Sequence, residues 1–446
     1  MSSSKKHPNP RSEAVRQLER IESDGAFSGL LGLPDQMDAR DKRQLTDLVA
    51  GVTRWRRWLD FVIEQYARRP VDQLDSPVRQ MLRLAAYEMT VRSRPVHAVV
   101  NEYVTLAGRL ARPQAKGFIN AVLRRVSEHR DELPEPQMSD PAERLGIRFS
   151  HPTWMVRRWL ARYGDEATQT LLAWNNKRPV FGVRVNTLRT DRAAVESQLT
   201  DRTVDWSVSG VLDDFLRVES VQPLLQSGML LDGLVHVQDE SAGLVVRVLD
   251  PQPDETVVDA CAAPGGKSLY ACTRMADRGR ILALDANAAR LRLAEKSAVA
   301  AGCSIVQFVT GDATAPQPEL AGVLADRVLI DAPCTGLGVL SKRPDLRWRR
   351  SEADLATRAE LQDNLLDSVS ALVRPGGLLV YSTCTIEPEE NDDRVDAFLR
   401  RHGNFEVESA APFVPTAMLT PRGFFASLPH RDGMDGAFAA RLRRLH

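Results

Sequence analysis

From about residue 231 the chain alternates short apolar runs with helical stretches, and no other feature constrains its fold as tightly. The runs at 256–260, 281–285, 305–310, 328–331 and 378–381 read as strands, and stretches such as Ala288–Ala301 and 352–373 read as helices between them. Consecutive apolar positions mean burial on both faces, and an intervening helix is the connection that parallel pairing requires. The pattern predicts an α/β, Rossmann-like, doubly wound sheet. Ligands of such sheets sit beyond the carboxyl ends of the strands, so functional residues are sought there.

At 446 residues the chain needs more than one core. Residues 12 to about 133 carry helical spacing throughout. Leu45, Leu48, Val49, Val52, Leu59, Val62, Ile63 and Tyr66 repeat at i, i+3, i+4 and i+7, the mark of one buried face. Pro77 opens the next helix, with Leu82, Ala85, Ala86 and Met89 as its stripe, and further helices are expected at 99–111 and 114–132. This predicts an all-α bundle over 1–140, closed by a Pro-rich linker at 132–141. Residues 141–230 begin with a helix bearing Trp154, Arg157, Arg158 and Trp159. Alternating runs at 181–188 and 206–211 follow, which predicts a small α+β module. The sheet domain then spans 231–446.

The 43% hydrophobic and 26% charged composition is that of a globular protein, and no apolar run approaches the roughly 18 residues of a membrane span. The start, MSSSKKHPNPRSEA, has no apolar segment behind its basic residues, so no secretory signal is expected. Five cysteines (Cys261, Cys272, Cys303, Cys334 and Cys384) form an odd set without C-x-x-C spacing. Neither a disulfide framework nor a metal site is expected, and a reducing, cytoplasmic setting fits. Residues 1–140 hold 23 Lys/Arg against 19 Asp/Glu, while those after 230 hold 24 against 30. The mildly basic front suits a polyanionic partner or simply solvated helix faces.

The stretch VVDACAAPGGKS, residues 257–268, runs from a strand into a Gly-Gly-Lys-Ser loop. A phosphate loop needs G-x-x-x-x-G-K-[ST], and Cys261 stands where the first glycine belongs. A P-loop NTPase is therefore one reading. The other takes the acidic strand ends Asp285, Asp312 and Asp331 together: carboxylates there suit ribose hydroxyls and repel a triphosphate. Cys334 and Cys384 each follow directly on a strand, and one helical crossover separates the two strands. If the strands are sheet neighbours, both thiols face one cleft. Cys272 and Cys303 read as small buried hydrophobes.

CAAPGGKS (261–268), DAPCTGLGVL (331–340), RPDLRW (343–348) and YSTCTIEPEEN (381–391) together resemble the RNA cytosine-5 methyltransferases of the Nol1/Nop2/Sun group. LPHRDGMDGAF (428–438) is similar to the final strand of that family, with Ala437 departing from a frequent aromatic pair. The front end, with FINAVLRR (118–125), resembles a NusB-type RNA-binding domain, and the combination resembles the bacterial 16S rRNA methyltransferases of that group. The resemblance covers nearly the whole chain. It implies a class I methyltransferase domain after the α+β module, with S-adenosyl-L-methionine bound by Cys261, Ala262, Ala263, Pro264, Gly265, Gly266, Lys267, Asp285, Asp312 and Asp331. It also implies 16S rRNA as partner, cytosine 967 as target, and no metal, membrane or obligate protein partner. A non-catalytic RNA-binding or ribosome assembly factor is a further alternative.

Carbon 5 of cytosine is a poor nucleophile until a thiolate adds at C6. The reaction needs an activated thiol, a group facing the N3 edge, and a route for the thiolate to leave. Either Cys334 or Cys384 satisfies this chemically. The resemblance makes Cys384 the nucleophile and Cys334 the residue of adduct release, with Asp331 at the N3/N4 edge. A target base must leave its stack, and Lys342, Arg343, Arg347, Arg349 and Arg350 around Trp348 read as a phosphate clamp with a stacking platform, or as an exposed basic loop. Arg54, Arg56, Arg57, Arg184 and Asn186 are weaker candidates for RNA contact.

Overall fold

The computed structural model describes residues 9–23 and 32–446. They form two compact units, one of the described residues up to Lys177 with Leu340–Arg350, the other of Arg178–Val339 with Ser351–His446.

The first unit is helical: Pro10–Ser23 (α1), Ala39–Ala67 (α2), Ser76–Ala86 (α3) running into a π turn at Tyr87–Val91, Val96–Leu110 (α4), Ala115–Glu128 (α5), Pro141–Arg148 (α6) and Thr153–Asn176 (α7). The expected stripe of α2 is its buried face, from Leu45 to Ile63, with Tyr66 packed at the margin. Asp38 caps the helix by accepting from the Asp41 N–H at 2.8 Å. Asp140, at the end of the expected linker, caps α6 by accepting from Ala142 N, with Pro141 in the first turn. Helices α6 and α7 belong with the front bundle, and the structure joins the small α+β module to the large sheet.

The second unit contains two sheets. Phe181–Val185 (β1), the helix Arg192–Asp201 (α8), Trp206–Val208 (β2), Phe215–Val218 (β3), the short helix Gln222–Gln226 (α9) and Val235–Val237 (β4) make the α+β module, with antiparallel order β2-β3-β1-β4. Glu240–Leu249 (α10) leads into Thr256–Asp259 (β5), Gly266–Arg274 (α11), Arg280–Asp285 (β6), Ala288–Ala301 (α12), Val306–Thr310 (β7) and Ala325–Asp331 (β8). The one-turn helix Leu346–Arg349 (α13) lies in the first unit's segment. Ala353–Ser370 (α14), Val373–Thr383 (β9), Asp392–Arg401 (α15), Phe405–Glu408 (β10), Phe425–Ser427 (β11), Pro429–Asp432 (α16) and Ala437–Arg444 (β12) complete the chain. All five expected core strands are present, at β5, β6, β7, β8 and β9. The final strand begins only at Ala437, because Pro429 and the left-handed Gly433 (φ 69°) turn the preceding residues into a helical loop.

The large sheet has the order β10-β12-β9-β8-β5-β6-β7, parallel except where β12 joins. Alternation sends Val257, Ile281, Leu329 and Val380 into one core and Val258, Leu282, Val328 and Leu379 into the other. This double burial is what made the strands uniformly apolar in sequence. Strand β5 leads to β6 on one side and pairs with β8 on the other, so the order reverses there. The carboxyl ends of β5, β6, β8 and β9 therefore face the position where such sheets bind ligands.

Candidate active site

Strand β5 ends in Asp259, and the loop through Gly265 delivers the chain to α11. Gly265 has φ 97°, and a Cβ there would lie 2.7 Å from the Cβ of Ala294, so both conformation and space require glycine. At Gly266 a Cβ would meet nothing closer than Gln238 at 3.8 Å, leaving that side of the loop open. Asp285, closing β6, holds the loop: its Oδ2 accepts from Ala263 N at 2.9 Å and its Oδ1 from Asn287 N at 2.8 Å. Ala262 N donates to Leu284 O at 2.9 Å, and Arg290 donates to Ala263 O at 2.8 Å. Asp312 is exposed after β7, and Thr314 donates to it through N–H (2.9 Å) and hydroxyl (2.8 Å), which holds its carboxyl below the ordinary range. Each carboxylate oxygen offers about two acceptor directions, so Asp285 and Asp312 retain capacity for hydroxyl donors. The open glycine loop between them fits an adenosine-type group. Pro264 is exposed beside it, and burial pushes the Cys261 thiol up, making Cys261 a neutral wall residue.

The lysine that suggested a phosphate loop is otherwise engaged. Lys267 Nζ lies 2.6 Å from Asp331 Oδ2 at the end of β8. Burial works against the Lys267 charge, but Asp331 more than offsets it and the ammonium is held protonated. Ser382 Oγ donates to the other oxygen, Oδ1, of Asp331 at 3.0 Å. Below them Asp259 is buried and accepts from Ser268 Oγ at 2.6 Å, and burial pushes its carboxyl up to about 7.

The two late cysteines meet. Strands β8 and β9 are parallel neighbours with Asp331 opposite Ser382, and the Sγ atoms of Cys334 and Cys384 are 3.4 Å apart. Cys384 is exposed and Cys334 half-buried. The hydrogen bond between the thiols, followed by burial and the nearby Glu390, raises Cys334 well above the ordinary thiol range. Cys334 thus keeps its proton next to the Cys384 sulfur. Gly338 N donates to Cys384 O at 3.1 Å, and a Cβ on Gly338 would press to 2.8 Å of that oxygen. Cys272 and Cys303 lie buried in the core, as small hydrophobes do.

Residues that sequence reasoning missed surround the thiols. Glu390 is fully buried and accepts from Thr335 N (2.9 Å), Thr335 Oγ1 and Gln362 Nε2 (3.0 Å). Their signal was the run of polar residues in TIEPEEN, too many for a plain turn after an apolar strand.

The expected RNA clamp is corrected at several positions. Arg347 is 0% exposed, and its guanidinium donates to the carbonyls of Arg54 (3.2 Å), Ser150 (3.0 Å) and Asn175 (3.1 Å) and to Asn176 Oδ1 (2.9 Å). Trp348 Nε1 donates to Thr53 O at 2.6 Å, and Arg56 covers its ring at 4.9 Å, so that ring face is taken. Arg54 is buried on Ser341 O at 2.8 Å, and Arg57 bonds His151 O and Thr153 Oγ1. Arg184 and Asn186 are also fully buried: Arg184 donates to Gln238 and Thr273, Asn186 to the carbonyls of Gly233 and Ala301. These residues brace the interior because a desolvated guanidinium or amide must spend its donors there. Lys342, Arg349 and Arg350 are half-exposed and Arg343 is exposed.

Among the described residues no group of side chains could hold a metal ion, and no helix is long and apolar enough to cross a membrane. Residues 246–443 match the family described as 16S rRNA methyltransferase RsmB/F, residues 8–128 the NusB family, and residues 151–224 the RsmF/B-like ferredoxin-like domain. The chain is 32% identical to the probable ribosomal RNA small subunit methyltransferase B of Bacillus subtilis, covering 98% of this chain and 99% of that one. It is 33% identical to the ribosomal RNA small subunit methyltransferase B of Sodalis glossinidius, with 98% of each chain covered. The solved structure of PH0851 superposes with a TM-score of 0.80 at 28% identity, covering 98% of this chain and 99% of that one. The intact glycine loop, the engaged Lys267 and the paired thiols agree with these likenesses, and the chain belongs to the 16S rRNA methyltransferase B/F family, enzymes that take their methyl group from S-adenosylmethionine.

Proposed function

We propose that this chain methylates carbon 5 of a cytosine in 16S rRNA, cytosine 967, through a covalent adduct between Cys384 and C6 of the base. The observation that carries the reading is the 3.4 Å approach of the Cys334 and Cys384 sulfurs beside Asp331. Two thiols at one strand-end cleft serve a reaction in which one sulfur bonds the substrate and must later be expelled.

Each group has a task. Cys384, the exposed sulfur, adds to C6 as a thiolate, and the electron pair of the C5–C6 bond becomes available at C5. Asp331, fixed by Lys267 and Ser382, faces the N3/N4 edge, and the protonated Lys267 beside it offsets the charge that develops on the ring. Asp285, Asp312 and the loop from Cys261 to Lys267 hold the donor, which when bound supplies an electrophilic methyl group. Once Cys384 is bound to C6 it no longer holds the Cys334 proton in place, and Cys334 as a thiolate takes the C5 proton; the C5–H electron pair restores the C5–C6 double bond and the Cys384–C6 pair returns to the Cys384 sulfur. Cys334 assists this release and returns the Cys384 sulfur to its starting state. The exposed Arg343 and half-exposed Lys342 and Arg349 remain suited to contact RNA phosphates.

Bisulfite mapping of 16S rRNA from cells lacking this protein tests the reading. Loss of protection at one cytosine, restored by the wild-type gene, is expected. Unchanged protection at every cytosine would return the chain to the role of assembly factor.

A further inference from the structure

Each thiol is held through both of its sequence neighbours, and two consecutive residues do the holding. On the Cys334 side, Gln362 Nε2 donates to Pro333 O at 3.1 Å and to Glu390 Oε1 at 3.0 Å. Glu390 also receives Thr335 N at 2.9 Å and the Thr335 hydroxyl, so residue 335 hangs on its carboxyl directly and residue 333 through Gln362. On the Cys384 side, Asn391 Oδ1 accepts from Thr383 Oγ1 at 2.6 Å and Asn391 Nδ2 donates to Thr385 O at 3.1 Å. The Thr335 and Thr385 hydroxyls, 3.0 Å apart, close the ring, and Tyr381 OH anchors Glu390 by donating to its backbone carbonyl at 2.6 Å. All these groups are buried or half-buried, where hydrogen bonds to a carboxylate resist exchange with water.

We infer that Glu390 and Asn391 form a brace that fixes the distance between the two thiols, with Glu390 the positioning residue for the release step. The inference rests on the cysteine roles proposed above. Asn391 orients the nucleophile before attack, and Glu390 presents Cys334 to the adduct afterwards. A carboxylate suits the second post because it accepts on both oxygens at once. An amide at position 390 could keep its oxygen for Thr335 N and Gln362, but its NH2 would then face the Thr335 hydroxyl, which would have to turn from donor to acceptor, and the charge beside Cys334 would be lost. Its three donors fix the Glu390 carboxyl, whose charge helps to hold the Cys334 thiol protonated.

The test compares full-length wild type, Glu390→Gln, Gln362→Leu, Cys334→Ala and Cys384→Ala with a 16S rRNA transcript and S-adenosylmethionine. Formation and decay of the covalent RNA–protein complex are followed across pH. Glu390→Gln should form the adduct within a few-fold of the wild-type rate but release it about ten- to hundred-fold more slowly. Its release should also extend to lower pH, since the carboxylate no longer raises Cys334. Gln362→Leu, which leaves the carboxyl in place, should slow release by a smaller factor without that pH shift. A role limited to folding would lower formation and release together and leave the pH profile unmoved, and that result overturns the brace, as does wild-type release in Glu390→Gln. If Cys384→Ala still crosslinks, it is the cysteine assignment that has failed, whatever Glu390 does.

Discussion

Arg347→Ala should unfold the helical unit at markedly lower temperature while leaving phosphate contacts intact. The guanidinium ties three separate segments: Arg54 in α2, Ser150 between α6 and α7, and Asn175 and Asn176 at the end of α7. Its removal takes a donor from three buried carbonyls and the half-buried Asn176 Oδ1, and a buried acceptor left without a donor costs about 1–3 kcal/mol. Part of that sum is returned, because Arg347 is itself a desolvated cation with Arg54 nearby, and burial pushes its pKa well down. The net loss is about 3–5 kcal/mol, the usual range for breaking a buried network. For a unit of this size that corresponds to a fall in Tm of roughly 6–20 °C. Tryptophan fluorescence isolates the transition, since six of the seven tryptophans lie in this unit and only Trp206 does not. Arg347→Lys, with a charge but fewer and differently placed donors, should fall between. A wild-type melting curve for Arg347→Ala together with weakened RNA binding would refute the reasoning and reinstate the residue as a phosphate clamp.

Asp259 makes stability depend on pH. Its buried carboxyl titrates at about 7 against roughly 4 in an unfolded chain, so its contribution is fully present below pH 4 and is lost as pH rises through 7. Asp259→Asn should therefore gain about 1 kcal/mol on wild type per pH unit between those limits, read from denaturant melts at pH 5 and 8; a constant difference would contradict this. Gly265→Ala forces a side chain to φ 97° and against Ala294, and should cost about 1–3 kcal/mol and abolish S-adenosylhomocysteine binding by calorimetry. Lys267→Met removes the cation 2.6 Å from Asp331 and should lower kcat more than about ten-fold with the fold preserved by circular dichroism.

Much of this molecule could be read from its residues, for identifiable reasons. The five core strands and the long helix α2 announce themselves because burial on two faces, or along one stripe, leaves a periodic apolar record. The thiols and acidic strand ends were legible because parallel topology fixes where strand ends must point, and the structure brings Cys334 and Cys384 together. What failed was the reading of charge as exposure. Arg347, Arg184 and Arg54 look like solvent residues in any sequence, yet each is buried on carbonyl or side-chain oxygens contributed by segments far away in the chain. Such partners leave no local pattern. The brace at Glu390 was hidden for the same reason, since Thr335 and Gln362 precede it by 55 and 28 residues.

The most direct test of the central claim is covalent capture. Wild type, Cys334→Ala and Cys384→Ala are incubated with labelled 16S rRNA and S-adenosylmethionine, then resolved under denaturing conditions. The account predicts that Cys334→Ala accumulates a stable RNA–protein complex and that Cys384→Ala forms none. Capture by Cys384→Ala, with none by Cys334→Ala, would exchange the two roles and contradict it.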